Sequence, residues 1–145
     1  MKECVFCEIV AGRMDPELTV FEDEHVIAQM SLGQKPGNHG HVLVMPRRHV
    51  QNIYELPEEL NAPLMSALRL LSRATKKAFS TGGINIRQNN EPAAGQDVFH
   101  LHFHVIPRYR EDAFETRTYE KLPLQIRKEL AEKLKTAIRE EMQSA

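Results

Sequence analysis

VFHLHFHVIP, residues 98–107, alternates in character with unusual regularity: His100, His102 and His104 stand between Leu101, Phe103 and Val105. Successive side chains of an extended chain point to opposite faces. A strand over these residues therefore sends three imidazoles to one side and three apolar groups into a core. Three readings fit such a ledge. It is a solvated strand face, a set of metal ligands of the H-x-H kind, or a nucleophile or acid/base group flanked by phosphate donors, which a near-neutral imidazole permits. Just upstream, Ala94–Gly95–Gln96 is a flexible loop whose backbone and amide can approach an anion.

Outward from this stretch the chain divides into short elements. GINIRQN (83–89) reads as a strand and NEPAAGQD (90–97) as a loop. HVLVMP (41–46) is an apolar strand stopped by Pro46, and GQKPGNHG (33–40) before it is a loop rich in Gly and Pro. LTVFEDEHVIAQMSL (18–32) has the pattern of two strands around the polar tip Glu22–Glu24, a hairpin. From Glu58 to Phe79, Leu60, Leu64, Met65, Leu68, Leu71, Ala74 and Ala78 recur at spacings of three and four. This predicts an amphipathic helix with Arg69, Arg73 and Lys77 outside, ended by Gly82–Gly83. A second helix, over about 123–142, places Ile126, Leu130, Leu134, Ala137 and Ile138 on one face, with Glu129 and Lys133 paired outside. Phe6 to Ala11 has room for one short helical turn before Gly12. The sum is an α+β chain with about five strands in a mostly antiparallel sheet and two main helices, one domain over 1–145.

Composition excludes other classes. Lys and Arg number 19 against 20 Asp and Glu, a net charge of −1. The longest basic run is the pair Arg47–Arg48, so nucleic-acid binding by counterion release is not expected. The opening MKECVFCEIVAGRMD has an acid and two cysteines early and no long apolar run, which excludes a secretory signal or membrane span and leaves the cytoplasm as the expected compartment. Thiols stay reduced there. Cys4 and Cys7 form a C-x-x-C that is a redox pair, half of a zinc site or an accident of sequence.

GQDVFHLHFHVIPR (95–108), together with GHVLVMPRRH (40–49) and GINIRQNN (83–90), resembles the histidine triad (HIT) family of nucleotide hydrolases and transferases. The match runs from about Phe6 to Arg108 and leaves the C-terminal helix outside. The resemblance implies the HIT-like fold and a homodimer that joins two sheets. It also implies a purine nucleotide or nucleotide conjugate as ligand, and hydrolysis through a nucleotidyl-histidine intermediate on His102. By the same carry-over, His104 holds a non-bridging phosphate oxygen, Gln96 sits near the bridging atom, and Asn89 touches the α-phosphate. Phe6 and Ile9 help to make the base pocket. Where many relatives grip the ribose with an acid, this chain reads Met30–Ser31. It has Asp97 where Ser or Thr is common, and Glu91 where Gly is common. A carboxylate at 97 repels phosphate unless it is held back or orients a histidine.

With that alignment, His49 and His100 complete a four-ligand set with Cys4 and Cys7, the closed tetrahedral type in which Zn²⁺ is structural. The galactose-phosphate uridylyltransferases of the wider superfamily resemble this pattern. His25, His39 and His41 are expected on the surface or in loops, although His41 heads a strand beside the site and can stand behind it. Arg47, Arg48, Arg108 and Arg110 are expected to form a solvated rim rather than phosphate clamps. A nucleotide-binding, zinc-stabilised interaction protein with little turnover is the competing class, and a metal-dependent hydrolase using all three histidines is a third.

Overall fold

In the computed structural model, residues 4–144 are described. The ends of the 1–145 range expected as one domain, and the first three residues of the opening segment, lie outside them. A short helix α1 (Val5–Val10) precedes strands β1 (Thr19–Glu22), β2 (Val26–Met30), β3 (Gly33–Gln34) and β4 (Val42–Pro46). Helix α2 (Asn61–Phe79), β5 (Gly83–Arg87), β6 (Phe103–Arg108), β7 (Glu120–Lys121) and α3 (Leu124–Gln143) follow. Five strands form an antiparallel sheet in the order β1-β2-β4-β6-β5, and β3 pairs with β7.

The sheet has two different faces because its strands alternate. Val26, Ala28 and Met30 of β2, Val42 and Val44 of β4, and Val105 of β6 pack against Leu64, Leu68 and Leu71 of α2 and Leu134 and Ile138 of α3. On the other face Ile27 of β2 and Met45 of β4 meet Phe6 and Ile9 of α1, with Leu43 and Val98 beside them. The register sets Leu43 opposite His104, so this histidine emerges on the α1 face. The hairpin between β1 and β2 is closed by Asp23, whose Oδ1 accepts from the backbone N–H of His25 and Val26 at 2.9 and 2.8 Å.

Several boundaries differ from expectation, each for a local reason. The histidine strand begins at Phe103, not Val98. Upstream, the Leu101 N–H donates to Val50 O, and the Pro46 carbonyl accepts from the His100 ring, so side chain and loop take groups that a ladder would use. Pro46 itself has no N–H to offer. β5 stops at Arg87, and β4 starts at Val42 rather than His41. The stretch 33–40 is not all loop, since its first two residues pair with β7. Helix α2 is closed by Ser80 in the left-handed region at φ 50°, before the Gly82–Gly83 pair is reached. Met65 lies outside its packed face, at 65% exposure. In α3 Ile126 is turned outward, whereas Arg127 is buried and donates from Nε to Leu122 O at 2.9 Å.

Candidate functional site

The first turn of α1 presents Cys4 and Cys7 together. Cys4 is its N-cap, and its Sγ accepts the Cys7 N–H at 3.4 Å. His100, fully buried, points its Nδ1 at both thiols at 3.6 Å, and His49 Nδ1 lies 3.4 Å from Cys7 Sγ. For a tetrahedral zinc with ordinary Zn–S and Zn–N bonds, the edge between a sulfur and a nitrogen is about 3.6 Å. The sulfur–nitrogen separations therefore match the edges of one coordination tetrahedron, and all four donor atoms lie within 4.8 Å of one another. The tautomer fits as well: His100 Nε2–H donates to Pro46 O at 2.8 Å, which leaves the Nδ1 lone pair facing the thiols. Burial, then the neighbouring Cys4 thiol, pushes the Cys7 thiol up to about 11, so holding this sulfur as a thiolate calls for a cation beside it. Cys4, Cys7, His49 and His100 thus form a Cys2His2 metal-binding cluster.

Two residues on, His102 is anchored differently. Its Nδ1–H donates to His100 O at 2.8 Å, which fixes Nε2 as the nitrogen with the free lone pair. The ring stands edge-on to Phe6, with centroids 4.8 Å apart, and it lines a cavity of about 320 Å³ on the α1 face. His104 follows at 5.1 Å between ring centroids. Its Nδ1 lies 2.9 Å from His41 Nε2. Among the described residues His41 Nδ1 is buried without a partner, and an orphaned lone pair is milder than an orphaned N–H. The proton therefore sits on His41 Nε2 and is donated to His104 Nδ1, so His104 presents Nε2–H to the cavity. Burial pushes His41 down to about 3, with repulsion from His104 adding to it, and pushes His104 down to about 4, with repulsion from His102 adding to it. Both rings are neutral at pH 7.

His41 is thus no surface residue; it stands directly behind His104. It is placed there by Gly40, whose φ of 117° and close approach to the Phe79 ring, 2.5 Å from where a Cβ would be, admit no side chain. Gln34, fully buried, ties down the same turn: its Oε1 accepts from Gly40 and His41 N–H, and its Nε2 donates to Ser31 and His41 O.

The remaining expected residues divide in two. Phe6, Ile9, Ser31, His102 and His104 line the cavity together. Gln96 and Asn89 do not. The buried Gln96 amide donates to Gln51 O and Val98 O at 2.7 and 3.1 Å and accepts from Glu91 N–H at 2.7 Å, which locks the 88–97 loop. Glu91 holds φ 72°, ψ 153°, a conformation that glycine adopts freely and other residues do not. Asp97, carried by the end of this loop, lines the cavity with Oδ1 3.8 Å from His102 Nε2. The four arginines stay outside: Arg47 pairs with Glu22, Arg48 with Glu59 and Arg108 with Asp112, and Arg110 is exposed. Asp15, Gln29 and Tyr119 also line the cavity, although no motif marks them. Tyr119 comes from the segment after Arg108, which is pinned by Asp112 bridging Arg108 and Asn38 and by Lys35 donating to Phe114 O at 2.7 Å.

A model of the HIT domain family matches residues 13–111. The chain is 43% identical over 108 residues to the protein hit of Bacillus subtilis, covering 74% of this chain and 72% of that one. It is 36% identical over 109 residues to an adenosine 5′-monophosphoramidase of Schizosaccharomyces pombe, covering 75% and 77%. A zinc-bound histidine triad family protein of Mycobacterium smegmatis has the same fold, with a TM-score of 0.84 at 30% identity over 99% of this chain and 98% of that one.

Proposed function

The chain belongs to the HIT domain family, and from that premise we propose that it hydrolyses nucleoside 5′-phosphate derivatives, either phosphoramidates or dinucleoside polyphosphates, through a nucleotidyl intermediate on His102. The observation that carries the proposal is the anchored Nδ1–H of His102, which leaves a lone pair on Nε2 inside a nucleoside-sized cavity. That pair forms an N–P bond to the α-phosphorus while the bond to the leaving group breaks, and the leaving group keeps its electrons and takes a proton from the medium. Water then displaces the histidine, returning the pair to Nε2 and the nucleotide to solution. His104 Nε2–H donates to a non-bridging oxygen where charge develops. Phe6 and Ile9 take the base and Ser31 faces the sugar. Gln96 serves by fixing the loop that carries Asp97, and Asn89 belongs to the same loop.

The Cys2His2 cluster holds zinc as a brace. A four-ligand set has no open position for substrate or an activated water, so the ion supplies rigidity between α1 and the histidine segment and takes no part in the reaction. We place the protein in the cytoplasm, where such thiolates stay reduced; no helix among the described residues is long and apolar enough to cross a membrane. A homodimer is proposed through β5, an edge strand with Ile86 48% exposed.

The test is turnover of adenosine 5′-phosphoramidate and of diadenosine tri- and tetraphosphate, with protein quenched in alkaline denaturant, where the P–N bond survives, examined for a nucleotide on His102. Turnover and labelling that vanish together in His102→Ala support the proposal. Asp97 beside the nucleophile favours the second reading, a nucleotide-binding protein, and tight binding without turnover or labelling would establish it.

A further inference from the structure

The cavity that His102 and His104 face is acidic. Asp15 and Asp97 line it, and among the described residues no lysine or arginine does. Two cations that stand behind its wall are already engaged. Lys35 Nζ donates to Phe114 O and lies over the Phe114 and Tyr119 rings at 4.0 and 4.8 Å, and Arg87 pairs with Glu115. Asp97 differs from these. Its side chain is 83% exposed, its Oδ1 is 3.8 Å from the free nitrogen of His102, and among the described residues no lysine or arginine pairs with it. Its charge therefore acts on whatever occupies the cavity.

The two substrate classes respond to that charge in opposite ways. A polyphosphate leaving group brings two or more negative charges beside a carboxylate with no cation to offset them. Repulsion between unit charges a few ångströms apart in water weakens binding about fivefold for each pair, and more where water is partly excluded. An amine leaving group does the reverse. The nitrogen takes a proton before the P–N bond breaks and carries positive charge until it departs with the bonding pair, and a carboxylate stabilises that charge.

We infer that Asp97, with Asp15 adding to the field, makes this cavity selective for nucleoside 5′-phosphoramidates with amine leaving groups, above all amines bearing a second ammonium, over dinucleoside polyphosphates. The inference rests on the hydrolase reading and chooses between its two substrate classes. It explains why an acid is tolerated beside the nucleophile: the charge that repels one leaving group recruits the other.

The experiment compares kcat/KM for the adenosine 5′-phosphoramidate of 1,3-diaminopropane with that for diadenosine tetraphosphate, in the wild type, Asp97→Asn, Asp97→Ser and Asp97→Glu. The residue sits on an exposed loop, and thermal melts of each variant check folding. The wild type should prefer the phosphoramidate. Asn and Ser should lower the ratio about tenfold or more, by slowing the amine substrate and speeding the polyphosphate, while Glu keeps the ratio within about threefold. Added salt should shrink the ratio in the wild type and shrink it less in Asp97→Asn, where Asp15 alone remains. A ratio equal in wild type and Asp97→Asn, with both substrates still turned over through His102, overturns this inference alone. Turnover of neither substrate by the wild type overturns the hydrolase reading with it.

Discussion

The pair His41–His104 makes a definite demand on stability at acid pH. His41 is buried and His104 half-buried, and both are neutral in the folded chain, held down to about 3 and about 4 by desolvation with repulsion from neighbouring imidazoles adding to it, whereas an unfolded histidine titrates near 6.5. As pH falls below 6.5 the unfolded chain takes up protons that the folded chain refuses, so folding stability falls with pH until the folded values are reached. Between pH 7 and pH 5 each such histidine costs about 2 kcal/mol, and the pair about 4 kcal/mol. His41→Gln isolates half of this. The amide keeps a donor within reach of His104 Nδ1, 2.9 Å from the present ring nitrogen, but cannot titrate. Urea denaturation followed by circular dichroism at pH 7 and pH 5, with zinc fixed, gives the loss for each protein. Comparing losses removes the contribution of the Cys2His2 ligands, which is common to both. The variant should lose about 2 kcal/mol less than the wild type over this interval. Equal losses would refute the claim that this buried pair is a source of the acid sensitivity.

Three further outcomes are expected. His102→Ala should abolish hydrolysis with the metal content unchanged, because the ring's anchor is a carbonyl of its own segment; a variant retaining a tenth of the wild-type rate in a turnover assay would contradict the covalent route. Cys4→Ser should reduce bound zinc, measured by atomic absorption, from about one per chain to near none and lower the melting temperature. Because Phe6 is carried by the helix that Cys4 caps, activity at a temperature where the variant remains folded should show a raised KM more than a lowered kcat. Glu91→Gly should stabilise the chain by about 1 kcal/mol, or about 2–4 °C in melting temperature, by relieving a backbone conformation that only glycine adopts freely. No rise in a calorimetric melt would mean that the bond from Tyr54 to the Glu91 carboxylate outweighs the strain.

The sequence revealed the parts of the site that repeat at short range. Period-two histidines, a C-x-x-C and the alternating apolar strands are local patterns, and the structure brings Cys4, Cys7, His49 and His100 together as expected. Long-range features were hidden. Asp15 reaches the cavity because Gln29 Nε2 donates to the carbonyls of Met14 and Asp15, holding Asp15 in a left-handed conformation at φ 40°. No spacing rule links residues 15 and 29. Tyr119 arrives through the β3–β7 pairing, two residues on each side, too short to leave an alternation pattern. Arg127 rather than Ile126 is buried on α3, its guanidinium donating to the Leu122 carbonyl ahead of the helix, a polar contact that helical periodicity does not register. The strand begins only at Phe103 for a related reason: apolar alternation continues through Leu101, but the backbone there is engaged by Val50 and not by a neighbouring strand.

That early end of the ladder bears on how three adjacent histidines can do three different things. An imidazole has two nitrogens, and using one as an anchor decides what the other can do. His100 spends Nε2 on Pro46 O and turns a lone pair toward the thiols. His102 spends Nδ1–H on the His100 carbonyl, a group free only because no ladder partner claims it, and keeps its lone pair for the cavity. His104, the one of the three inside the regular strand, accepts at Nδ1 from His41 and presents a donor. Had the strand run unbroken from Val98, the His100 carbonyl would have been committed to a neighbour and His102 would have lost the contact that fixes its tautomer. The irregular backbone before Phe103 is therefore what converts a repetitive sequence into a metal ligand, a nucleophile and a hydrogen-bond donor in succession.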